Sequence, residues 1–245
     1  MARIYAVGIG PGDPELLTRK AERIIRSVPV ICSPTGAADA SSYALSIVEQ
    51  FLDRSRQEIL VQVFPMRKDQ GELGPYWEEA AAQVVERVNE GKDVAFITIG
   101  DPFLYSTFLY LYRIFRTSYP DIPVEVVPGI TSISAAAVAA GTPLGMGGER
   151  VAVLPATYER EELRRTLEQF DTVVLMKVNR VFDSLYSVLT ELGLADRGVF
   201  VRRVGSQDEE VVADLASLVG RDLDYLSMVI VRKGISFGRQ YEDRP

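Results

Sequence analysis

Short runs rich in Val and Ile alternate with stretches of helical periodicity along most of the 245-residue chain. That alternation constrains the fold most, because strands separated by helices build α/β sheets. Strands are predicted at 3–7, 30–32, 59–64, 94–99, 124–127, 151–154, 172–176, 199–203 and 228–232. The first helix starts at Asp13-Pro14-Glu15, with an Asp N-cap and Pro at the first helical position. Leu17, Ala21, Ile24 and Val28 follow at helical spacing and give it one apolar face. Further helices are predicted at 41–54, 75–90, 104–118, 131–140, 159–169 and 181–192. The Gly- and Pro-rich stretch 141–148 is the best candidate linker. It implies an N-terminal α/β domain over 1–142, a C-terminal α/β domain over 143–234 and a polar tail over 235–245.

Composition removes several kinds of chemistry. The chain has no histidine and one cysteine, Cys32. A His base, a His metal ligand, a Ser-His pair and a Cys-rich metal site are therefore excluded, and no metal ligands are assigned. Carboxylate, Lys, Tyr or Ser chemistry remains, together with carboxylate-bound metals and reactions that ask little of side chains. The net charge of -7 argues against broad attraction to nucleic acid or anionic membranes. No apolar run reaches the roughly 18 residues that span a bilayer. The N-terminus reads as a strand entering a turn rather than a signal peptide. One cysteine and no export signal make the cytoplasm the expected location.

Motifs sit at the ends of three predicted strands. The first is Gly8-Ile9-Gly10-Pro11-Gly12-Asp13-Pro14, where alternate glycines permit a tight turn and close backbone approach to a ligand. It departs from a dinucleotide fingerprint. The third glycine of that pattern falls on Asp13, and Val30-Ile31-Cys32-Ser33-Pro34 has no acid for a ribose. A capped turn and a ligand loop fit these residues equally. The second motif is Gly100-Asp101-Pro102, followed by Phe103-Leu104-Tyr105-Ser106-Thr107. It lies where open α/β sheets bind ligands, and a plain Asp-capped turn fits it as well. The third is Val127-Pro128-Gly129-Ile130-Thr131-Ser132, whose hydroxyls suit a helix cap or a ligand. The aromatic series Phe103, Tyr105, Phe108, Tyr110, Tyr112 and Phe115 reads mainly as core packing.

Taken in order, VGIGPGDPELLTRKA, GDPFLYST and VPGITSISAAAVAAG resemble the tetrapyrrole methyltransferase family. The resemblance runs to about Lys233. FPMRKDQGELGPYWEEAA, GKDVAFITIGDP and GDPFLYSTFLYLYRIF resemble the branch that methylates carbon 20 of precorrin-2 or cobalt-factor II. The resemblance implies two α/β domains with S-adenosylmethionine held folded in a cleft between them, and a homodimer. It implies that Gly100, Asp101, Leu104, Thr131 and Ser132 contact the cofactor, and that Met176 does so through its backbone. Pro11 is placed near the junction of cofactor and substrate. Asp101 and Tyr105 become the candidate catalytic residues, Asp101 as cofactor anchor and Tyr105 beside the methyl donor. The Ser227–Met228 region is a weaker carry-over.

Such chemistry suits a chain without histidine. The sulfonium methyl is already electrophilic, and a reduced tetrapyrrole meso carbon is electron-rich like an enamine. Alignment alone can supply an effective molarity of about 10⁵ M or more. The substrate carries many carboxylates, so Arg67, Lys68, Arg202 and Arg203 are candidates to meet them, with solvated surface charge the equal alternative. Other readings are a family member acting on a different ring carbon, on protein or on RNA, a nucleotide-binding regulatory module, and a tetrapyrrole carrier without activity.

Overall fold

The computed structural model describes residues 1–36, 42–64, 73–155 and 159–234. The chain falls into two compact units, Met1–Thr131 and Ser132–Pro245. This division comes earlier than the predicted boundary at 142, ahead of the Ala-rich helix.

In the first unit, strands β1 (Ile4–Gly8), β2 (Val30–Thr35), β3 (Glu58–Val63), β4 (Val94–Thr98) and β5 (Val124–Val127) form one sheet. Their order is β3-β2-β4-β1-β5, and every pairing is parallel. Parallel sheets are covered on both faces, so their strands read as near-continuous apolar runs. Strand β4, Val-Ala-Phe-Ile-Thr, is buried at every position.

Helices α1 (Arg19–Ser27), α2 (Tyr43–Val48), α3 (Gly74–Asn89) and α4 (Phe108–Ser118) connect these strands. The steps from β1 to β2 and β2 to β3 run one way across the sheet; those from β3 to β4 and β4 to β5 run the other. Right-handed crossovers therefore send α1 and α2 to one face and α3 and α4 to the other. The cores follow that division. Val7, Ile31, Ala95 and Ile97 pack with Ile24, Ile25, Ile47 and Val48. Their alternate neighbours Ala6, Cys32, Val94 and Phe96 pack with Trp77, Val84, Phe108 and Leu111. Trp77 and Tyr110 stack at 4.0 Å and join α3 to α4.

Two predicted helices start later than expected. The run from Asp13 is a 3-10 turn, Pro14–Leu16, in which the Asp13 side chain accepts from the Glu15 N–H. The α-helix restarts after Thr18, whose hydroxyl accepts from the Ala21 N–H at 3.1 Å. Helix α4 begins at Phe108 rather than 104, because Tyr105 has φ 51 and cannot continue a right-handed helix. The Ser106 hydroxyl accepts from the Phe108 N–H at 3.1 Å and starts the helix instead.

The second unit opens with α5 (Ser132–Ala139). Strands β6 (Val151–Pro155), β7 (Thr172–Met176), β8 (Gly198–Arg202), β9 (Glu210–Val212) and β10 (Ser227–Arg232) form a sheet in the order β6-β7-β10-β8-β9. It is mixed. β6 and β7 are parallel, while β10 runs antiparallel to β7 and β8. Helices α6 (Arg160–Gln169) and α7 (Phe182–Glu191) contribute Leu163, Leu167, Leu185 and Val188 to its core. Strand β9 has three half-buried residues and no readable pattern, so the sequence does not announce it. No helix among the described residues is long and apolar enough to cross a membrane.

The expected linker is fastened to this sheet. Arg232, 5% exposed on β10, donates to the Pro143 carbonyl and to both carboxylate oxygens of Glu149, at 3.0 and 2.8 Å. One guanidinium nitrogen, Nη2, meets both carboxylate oxygens, and an ion pair at a buried arginine is costly to break from one side. Glu149→Ala is expected to lower stability by about 2 kcal/mol, below the full buried-pair cost because Glu149 is partly solvated. A urea midpoint shift at unchanged slope measures it.

Candidate functional site

Among the first unit's strands, β4 and β1 are neighbours from which the chain departs in opposite directions, toward β5 and β2. Connections that diverge from adjacent parallel strands open a crevice at their carboxyl ends, where such sheets bind ligands. The Gly8 and Gly100 turns both begin at that point.

The turns meet backbone to backbone. The Gly100 N–H donates to the Gly10 carbonyl at 2.7 Å, and the two residues form an isolated bridge. Both are in the left-handed region, at φ 76 and φ 70, which glycine adopts without strain. Gly129, past β5, closes the cluster. A methyl group on Gly129 would lie 2.1 Å from the Gly100 carbonyl oxygen. One on Gly8 would lie 2.6 Å from that oxygen and 2.6 Å from the Gly129 nitrogen. No side chain fits at either position without moving backbone.

Asp101 secures this junction. One carboxylate oxygen accepts from the Phe103 N–H at 2.8 Å, and the other from the Gly129 N–H at 3.0 Å. Asp101 thus turns its own loop and ties it to the loop after β5. Below it, the buried Thr98 and Ser106 hydroxyls are 3.0 Å apart. These contacts leave Phe103, Tyr105 and Ile130 exposed at this end of the sheet, at 51%, 42% and 37%. Tyr105 holds a left-handed backbone that costs a non-glycine residue roughly 1–2 kcal/mol. Such conformations persist where the surrounding structure fixes them.

Of the residues singled out from sequence, Pro11, Gly100, Asp101, Leu104, Tyr105 and Thr131 belong to this unit. Pro11 and Gly100 are buried, Asp101, Leu104 and Thr131 half-buried. Ser132 and Met176 belong to the second unit, where Met176 ends β7. The contacts of Gly8, Gly129, Thr98 and Ser106 are not readable from the sequence alone. The glycines were visible within their motifs, but that they press on one another follows only from strand order.

The proposed carboxylate-binding arginines look different in the structure. Arg202 pairs with Glu210 at 2.6 Å and Arg203 with Asp224 at 2.6 Å, so neighbouring acids already occupy both. Arg67 and Lys68 lie outside the described residues. Cys32 sits in the core, where burial pushes its thiol pKa up and keeps it protonated.

Two α/β units, one with backbone-lined turns gathered at a topological switch point, present main chain where open α/β sheets bind ligands. The chain belongs to the tetrapyrrole (corrin/porphyrin) methylase family, whose model matches residues 3–219. It is 35% identical over 232 residues to the cobalt-precorrin-2 C(20)-methyltransferase of Salmonella typhimurium, covering 94% of this chain and 96% of that one. Its fold is similar to that of a cobalt precorrin-4 methyltransferase, with a TM-score of 0.73, 22% identity and 94% of each chain covered. It is also similar to the uroporphyrin-III C-methyl transferase of Thermus thermophilus complexed with S-adenyl homocysteine. There the TM-score is 0.65 and the identity 24%, over 95% of this chain and 98% of that one.

The glycine contacts lead to a direct test. Gly129→Ala is expected to lower stability by about 3 kcal/mol or more, because backbone must move to admit the methyl group. Gly148→Ala, with nothing within 4 Å of the added atom, stays within about 0.5 kcal/mol of the parent. Thermal melts of both variants decide it.

Proposed function

We propose that this chain is an S-adenosylmethionine-dependent C-methyltransferase that methylates carbon 20 of precorrin-2 or its cobalt complex in cobalamin biosynthesis. The observation that carries this reading is the near end-to-end 35% identity with the Salmonella C(20)-methyltransferase. The strand-end geometry agrees with the chemistry. S-adenosylmethionine supplies a methyl group already activated as a sulfonium substituent.

The residues present suit that cofactor. It carries hydrogen-bonding groups along its whole length, and the strand-end turns are mostly main chain. The exposed Tyr105, Phe103 and Ile130 offer apolar surface to the adenosyl and thioether parts. We assign Pro11, Gly100, Leu104 and Thr131 to holding it, and carry over the resemblance's expectation for Ser132 and Met176. Asp101 takes a narrower role than an anchor alone. Its carboxylate fixes the spacing of the Gly100 and Gly129 turns, and so the shape of the surface the cofactor meets. Tyr105 borders the transfer site and helps exclude water.

The protein's contribution is orientation. Holding donor and acceptor in line replaces the need for a strong base, which fits a chain without histidine. The proton lost from carbon 20 passes to water or to a substrate carboxylate. The resemblance also supports a homodimer, and one buried cysteine suits a cytoplasmic enzyme.

Anaerobic incubation with S-adenosylmethionine and either precorrin-2 or its cobalt complex tests the function. One methyl group is gained by mass spectrometry and located at carbon 20 by carbon-13 NMR. Cofactor binding without methyl gain on either substrate would move the activity to another acceptor in the family.

A further inference from the structure

At the carboxyl end of β7 and β8, the second unit's sheet is left in an unusual way. Both strands exit through a non-glycine residue in the left-handed region, Lys177 at φ 59 and Arg203 at φ 44. These residues flank the start of β10. The Lys177 N–H donates to the Ser227 carbonyl at 2.9 Å, and the Arg203 N–H to the Leu226 carbonyl at 2.8 Å. Two cationic residues are thereby locked at matching positions on one sheet end. Neither position is a flexible surface site, and strained backbone outliers of this kind concentrate at functional positions.

The two cations differ in what meets them. Arg203 is bound to Asp224 at 2.6 Å, and Arg202 beside it to Glu210. Lys177 has no carboxylate partner among the described residues. Its ammonium stands 5.6 Å from the ring centre of Tyr225, which is 41% exposed. A cation over an aromatic face is held in direction while its N–H donors stay available to an anion. What sets Lys177 apart is its fixed place at a strand end, against an aromatic ring rather than an acid.

We propose that Lys177 binds a peripheral carboxylate of the tetrapyrrole substrate and contributes to substrate specificity, with Tyr225 as an apolar shelf beside the macrocycle. The proposal rests on the tetrapyrrole reading above. It is preferred to Arg202 and Arg203 because each of those has an acid from a neighbouring segment beside it. An ammonium–carboxylate hydrogen bond lost on substitution weakens binding about tenfold.

The test titrates uroporphyrin III, a stable polycarboxylate tetrapyrrole, into the full chain and follows fluorescence at several salt concentrations. Lys177→Met is expected to raise Kd about tenfold and to flatten its salt dependence, while S-adenosylhomocysteine affinity holds. Lys177→Arg restores most of the affinity. Arg165→Ala, which removes an equal charge from an exposed position on α6, changes nothing. Lys177→Gly removes the charge while relieving the backbone, so it stands in if the Met variant folds poorly. Wild type binding uroporphyrin with Met and Gly variants binding it equally well overturns the lysine assignment alone. If wild type does not bind uroporphyrin, the same titration is run with precorrin-2, and wild type failing to bind that as well overturns the tetrapyrrole reading on which the assignment rests.

Discussion

Contact between the Gly8, Gly100 and Gly129 backbones is the constraint on which the first unit depends. Three parallel strands deliver their carboxyl ends to one place, and the turns leaving them approach closer than any side chain allows. The strand order β4-β1-β5 brings them together, and the divergence of the chain from β4 and β1 leaves a crevice beside them. Asp101 then fixes their spacing with its two oxygens. Packing below and open surface above follow from one arrangement, since glycines that close the core also leave main chain at the top of the sheet.

That arrangement matches what methyl transfer from a sulfonium requires. The reactive group arrives activated, so the protein needs rigidity, exclusion of water and correct distance rather than a proton-transfer relay. The lone cysteine is sealed in the core and the chain has no imidazole. The residues proposed to act are backbone turns and two side chains held in costly conformations, Tyr105 in the first unit and Lys177 in the second.

Much of this was legible in the residues. Alternating Val- and Ile-rich runs gave the strands, because buried parallel strands leave continuous apolar signals. The three strand-end motifs were found at the right strands. Helix starts were less readable. The Asp13-Pro14 signal marks a 3-10 turn, and the Thr18 cap four residues further on starts the helix. Tyr105 looks helical in sequence, and only its φ of 51 shows that it is not. The surroundings of the cationic candidates were not legible, for a different reason. Charge is visible in sequence, but the acids that neutralise Arg202 and Arg203 arrive from β9 and from the segment before β10. Lys177 was passed over because nothing local marks a lysine whose partner is an aromatic face.

S-adenosylmethionine is proposed to bind on the surface made where Gly8, Gly100 and Gly129 meet. Titration of nitrogen-15-labelled protein with S-adenosylhomocysteine, followed through glycine amide resonances, tests it most directly. Binding there is expected to give large shifts at Gly10, Gly12, Gly100 and Gly129, with Gly91 and Gly220 unmoved. Saturable binding that leaves the four strand-end glycines unshifted would contradict it.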